Sequence, residues 1–129
     1  MKRSQTLLAG VALSAVLASG KTKADEFCAS LQEVAADWNA SLPVMVDEVT
    51  KLTMVSANCE TKTFSHLKMI VFEGKFAEGW QVRKQASHTQ LHCNKDGMAR
   101  NFGWTERDQF NDSQGLLLGS FVISPSDCE

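Results

Sequence analysis

The sequence predicts an α+β two-layer sandwich, with about two helices packed on a four-stranded, mostly antiparallel sheet in the order α-β-β-α-β-β. Three observations lead there. Apolar residues recur at helical spacing near the N-terminus and again, more sparsely, in the middle of the chain. Four segments rich in β-branched and aromatic residues alternate like half-buried strands. No linker or internal repeat divides them, so both helices on one face of one sheet is the economical way to bury every apolar face.

The first helix is predicted over 26–41, from Phe27, Leu31, Val34, Ala35, Trp38 and Leu42, with Asp25 as its cap. Pro43 ends it, because the residue before a proline is pushed out of helical geometry. Val49 to Ser56 reads as a strand, Asn58-Cys59-Glu60 as a bend, and Thr61 to Phe72 as a longer strand. The alternation of this second strand shifts near Lys68, which suggests a bulge or burial of both faces at one end. Helix formers from Phe76 to His92 predict a second helix with a sparse stripe of Phe76, Trp80 and Leu91. Phe102 to Phe110 reads as a strand with Phe102, Trp104 and Phe110 on one face. A strong turn at 111–115 then leads into a last strand, Leu116 to Ser124, and the pair predicts an antiparallel hairpin.

Residues 1–24 carry the order of a secretory signal: Lys2 and Arg3, an apolar run from Leu7 to Ala18, then small Ser19 and Gly20. The run is shorter than the roughly 20 residues that a bilayer-spanning helix needs. Cleavage is expected between Gly20 and Ala24, leaving 25–129 as a single domain. Lys21 stands where a lipid-modified cysteine would be required, so neither a lipid anchor nor an embedded segment is expected. Loss of Lys2, Arg3, Lys21 and Lys23 makes the formal net charge of −2 four units more negative. An acidic domain without a basic cluster is ill suited to nucleic acid or to an anionic membrane surface. Four cysteines, Cys28, Cys59, Cys93 and Cys128, fit an oxidising compartment; none forms a CxxC pair, and spacing leaves all three connectivities open.

Two segments bear a family resemblance. LPVMVDEVTKL (42–52) and GSFVISPSDC (119–128) resemble the corresponding motifs of the quorum-sensing-regulated virulence factor family of small exported bacterial proteins, and Cys93 is similarly placed. Phe102, Trp104 and Phe110 stand for that family's tyrosines, this chain having none. The resemblance implies an α+β domain, a Cys93–Cys128 disulfide, and an exported protein, periplasmic or extracellular, associated with virulence or envelope physiology and with no established enzymatic activity. Cys28 and Cys59 lie outside the family pattern; they are then left for each other, with free thiols or a partner's cysteine as the alternatives.

Candidate chemistry is sparse. His88 and His92 lie four apart on the second helix and could share a metal with His66 or Asp96, the basis of an alternative reading as a metal-dependent envelope enzyme. Two polar residues on a solvated face is the favoured reading of that pair. Asp47-Glu48 reads as turn chemistry, with Asp47 accepting from nearby backbone amides. Ser124, Ser126 and Asp127 lack a nucleophile elbow. Trp80 and Trp104 are the residues expected to line a binding surface. With no phosphate loop or catalytic constellation, no cofactor is implied. The expectation is a binding or interaction module with a protein partner of the host or the envelope, or else an envelope accessory or chaperone-like protein.

Overall fold

A helix near the N-terminus, α1, spans Lys23–Asn39 in the computed structural model, which describes residues 22–129. The expected signal segment, through residue 21, lies outside the described residues. Thr22, rather than Asp25, is the cap. Its hydroxyl accepts from the Asp25 N–H (3.1 Å), and the Asp25 carboxylate accepts from the Thr22 N–H (3.1 Å). This reciprocal box satisfies two amides that a helix start leaves unpaired. Asp25 and Glu26 in the first turn also complement the helix dipole. Processing after Gly20 would keep this cap, and processing after Ala24 would remove it. The shorter form, and Thr22→Ala in the longer form, are each expected to lose about 1 kcal/mol in urea unfolding. Equal midpoints for all three proteins would remove capping as a determinant of α1.

The chain then forms β1 (Val44–Met45), β2 (Thr50–Asn58) and β3 (Thr63–Ile70), crosses over through α2 (Trp80–Cys93) and α3 (Met98–Phe102), and returns as β4 (Thr105–Asp112) and β5 (Leu117–Ile123) before a 3₁₀ turn at Pro125–Cys128. The sheet has five strands in the order β1-β2-β3-β4-β5, rather than four. The extra one, β1, is two residues long, too short to show a period in sequence. Three pairings are antiparallel, and the central β3–β4 pair is parallel. A parallel pair needs a crossover of a dozen or more residues, which the segment carrying α2 and α3 supplies.

The break expected in the second strand belongs to its neighbour. Leu52 pairs with Lys68 and Met54 with Leu67, so Thr53 of β2 is the extra residue. Alternation in β3 is unbroken: Phe64, His66, Lys68 and Ile70 all face the helices, and two of the four are polar. Beside the bulge the Asn39 side chain closes the open edge of β2. Its amide donates to the Val55 carbonyl (2.8 Å), and its oxygen accepts from the Val55 N–H (3.0 Å), replacing a strand there.

Helices cover one face of the sheet. Under α1 lie Cys28, Ala35, Leu52, Val55, Phe64 and Trp104. Beside the start of α2 lie Ile70, Phe110 and Phe121, with Phe76, Trp80 and Leu118 against them. Trp104 is therefore core and not binding surface. It is 3% exposed and meets Phe27 edge-on at 5.8 Å. Phe102 is not in a strand either. It ends α3, stacks on Phe27 at 4.3 Å, and is followed by Gly103, whose φ of 69° caps the helix in the left-handed region that glycine adopts without strain. Two disulfides staple the layers: Cys28–Cys59 joins α1 to the β2–β3 turn, and Cys93–Cys128 joins the end of α2 to the C-terminal 3₁₀ turn.

Candidate functional site: the cleft between the two long helices

α1 packs over β2 and α2 over β5, so the parallel β3–β4 pair forms a floor between them. Helices centred over β2 and β5 are about 14 Å apart, three strand spacings. Helices in direct contact are about 8–10 Å apart.

Charge lies where a sheet usually puts core. Glu106 and Asp108 are 2% and 1% exposed on the inner face of β4. His66 Nδ1 donates to Glu106 Oε1 (2.7 Å), and Lys68 Nζ donates to Asp108 Oδ2 (2.9 Å). In the parallel register Phe64 is opposite Glu106 and His66 is opposite Asp108, so each ion pair is a diagonal contact. Residues forty apart in sequence thus meet only because β3 and β4 run side by side. From the α2 wall, His88 Nε2 stands 3.3 Å from Asp108 Oδ2. From the α1 wall, the Trp38 ring stands 6.1 Å from that of His66. His88 Nδ1 and Asp108 Oδ1 are buried without a hydrogen-bond partner among the described residues. The band separates the two apolar clusters.

Burial pushes the His88 pKa below its usual 6.5; Asp108 opposes the shift, while Lys84, Lys68 and His92 reinforce it. A ring less basic when folded than when unfolded contributes stability that is whole above pH 6.5 and is lost as pH falls through the folded value. The wild-type urea midpoint is expected to fall between pH 7 and 5 more steeply than that of His88→Gln. Parallel curves would show that His88 does not titrate across folding.

Beside α2 lies a cavity of about 370 Å³, with Asp47 and Val49 of the β1–β2 connection on one side, Trp80, Lys84 and Ser87 of α2 on the other, and Phe110 in its floor. Asp47 accepts from the Val49 N–H (2.8 Å), which holds its carboxyl below the usual carboxylate range. Of the two tryptophans expected at a binding surface, only Trp80 lines this cavity. Trp38, Val34, Val46 and Leu91, each more than a third exposed, are apolar residues the sequence reading did not single out as surface. In α1 the sequence pattern does not mark them, because Val34 and Trp38 share the stripe of Leu31 and Ala35.

The three histidines do not form a metal centre. His66 is bound to Glu106 and His88 faces Asp108, while His92 stands 6.2 Å from His88, ring centre to ring centre. Among the described residues no group of three or more His, Cys, Asp or Glu could hold a metal ion. No helix among them is long and apolar enough to cross a membrane.

No protein-family model matches the chain, and no curated protein matches it. Solved structures do. The pilotin EpsS of the Vibrio vulnificus type 2 secretion system is 18% identical, with a TM-score of 0.58 over 81% of this chain and 93% of its own. The Vibrio cholerae type II secretion system pilotin AspS is 16% identical, with a TM-score of 0.58 over 88% and 99%. A Pseudomonas aeruginosa protein described as secreted is 14% identical, with a TM-score of 0.59 over 85% and 100%. At these identities the likeness establishes a shared fold.

Proposed function

We propose that the protein is an exported, non-enzymatic accessory of the cell envelope, of the same kind as the type II secretion pilotins whose fold it shares, and that it holds a segment of a partner protein in the cleft between α1 and α2. The observation that carries this reading is the placement of the two helices: α1 packs over β2 with Trp38 beside His66, α2 packs over β5, and a cavity of about 370 Å³ lies beside Trp80 and Lys84 of α2. A concave, largely apolar cavity edged by a few polar groups is the usual form of a contact site. Two disulfides fit an oxidising compartment outside the cytoplasm. The resemblance to the quorum-sensing-regulated virulence factor family supports the same export and adds an association with virulence to the proposal.

The test is site-specific photocrosslinking in intact cells, from positions 38 and 87 in the cleft and from position 54 on the opposite face of the sheet. One envelope protein captured from both cleft positions, and not from position 54, is the expected result. Capture from position 54 alone, or from none, would overturn it. The Pseudomonas neighbour, described as secreted, favours a second location for the same module. Recovery of the processed protein from the medium, with no envelope adduct, would move the partner to another cell.

A further inference from the structure

The cavity at the end of the cleft has a chemistry of its own, and its reading rests on the proposal that the cleft holds a partner. Its apolar side is formed by Ile70, Phe76, Trp80 and Phe110. Two ammonium groups lie over the Phe110 ring, Lys68 Nζ and Lys84 Nζ, each 5.2 Å from its centre. They are not equivalent. Lys68 is neutralised by Asp108. Lys84 has no carboxylate within ion-pairing distance among the described residues, where Lys68 bonds Asp108 and the rings of His66 and His88 stand against Glu106 and Asp108. The acid on the facing lip, Asp47, accepts from the Val49 amide and keeps its charge, which acts on Lys84 without a direct ion pair, and Arg83 at the mouth donates to the Glu78 carbonyl. A half-buried, unpaired ammonium therefore borders an apolar cavity. Its contact with the ring has already removed part of its water, so a carboxylate arriving there meets a cation with less solvent to displace.

We infer that the cavity takes a bulky apolar side chain of the partner segment, and that an acidic residue beside that anchor pairs with Lys84. A cavity of about 370 Å³ holds a large side chain and not a helix, so the segment lies across the mouth and inserts its anchor. Its carboxylate supplies the direct partner that Lys84 lacks, Asp47 acting on it only at a distance.

The probes are two blocked, leucine-rich heptapeptides that differ only at the central position, Glu in one and Lys in the other. Each is titrated into the exported, disulfide-bonded, ¹⁵N-labelled protein. Resonances of Thr50, Ile70, Lys84 and Phe110 are expected to shift, with the Glu peptide binding about tenfold tighter. Lys84→Glu should invert the preference and Lys84→Met should abolish it. Equal binding of the two peptides, a preference unchanged in both variants, or binding of neither would overturn the assignment. Crosslinking from position 38 does not depend on Lys84, so it reports on the cleft separately.

Discussion

Asp108→Ala is expected to destabilise the protein by about 3–5 kcal/mol, the cost of breaking a buried pair by removing one partner. Asp108 is 1% exposed, accepts from Lys68 and faces His88. Its loss leaves the Lys68 ammonium without a counter-charge on the inner face of the sheet, where little water reaches it. That is a large part of the roughly 5–15 kcal/mol that holds a domain of this size together. Replacing the pair as a unit, Asp108→Leu with Lys68→Met, should be close to neutral, because the desolvation of both charges is removed along with their attraction. Urea unfolding of the two variants separates the cases. A loss below about 1 kcal/mol for Asp108→Ala would mean that Lys68 escapes to solvent when its partner goes. A near-neutral double variant would also show that the charged band is not kept for stability. The cleft is where it would then act, since it leaves a polar floor where a continuous apolar one would draw the two helices together.

Local structure was legible where a period ran long enough. The stripe of α1, the alternation of β2 and β3 and the turn between β4 and β5 all lie in the chain, and the α+β class with helices on one face follows from them. Boundaries set by single residues were less so. Thr22 moved the start of α1 upstream, and Gly103 ended a short helix inside what read as one strand from Phe102 to Phe110. The cleft was not legible, for a physical reason. Its floor depends on the parallel register of β3 and β4, which no short-range pattern encodes. A trace of it was present. His66 and Lys68 fall between Phe64 and Ile70, and Glu106 and Asp108 share their parity with Phe110, so charges of opposite sign occupy core-facing positions of two strands. Taken one strand at a time these residues look like a shifted alternation; set side by side they are complementary.

Opening Cys93–Cys128 and opening Cys28–Cys59 are expected to cost about the same overall and to loosen different parts of the molecule. The bridges close sequence separations of 35 and 31, so restriction of the unfolded chain contributes about 3–4 kcal/mol in each case. The folded side differs. Cys28 is buried among Leu52, Val55, Phe64 and Trp104, and Ala35 and Leu31 of the same helix pack there with it. With Cys28→Ala and Cys59→Ala, α1 keeps that contact and its Asn39 link to Val55. α2 contains no buried residue. It rests on the half-buried Trp80 at its start, on Gln85, which donates to the Val122 carbonyl (3.2 Å), on His88 against Asp108 and Phe121, and on the bridge at its end. With Cys93→Ala and Cys128→Ala, hydrogen exchange should therefore report early opening of α2 while β3 and β4 stay protected, and in the Cys28/Cys59 variant α2 should exchange as in wild type. Unchanged protection of α2 without Cys93–Cys128 would show that Trp80, Gln85 and His88 suffice to hold it. If α2 does open, that bridge is what keeps one wall of the cleft in place, and binding in the cleft should weaken on reduction of the protein even where the sheet remains folded.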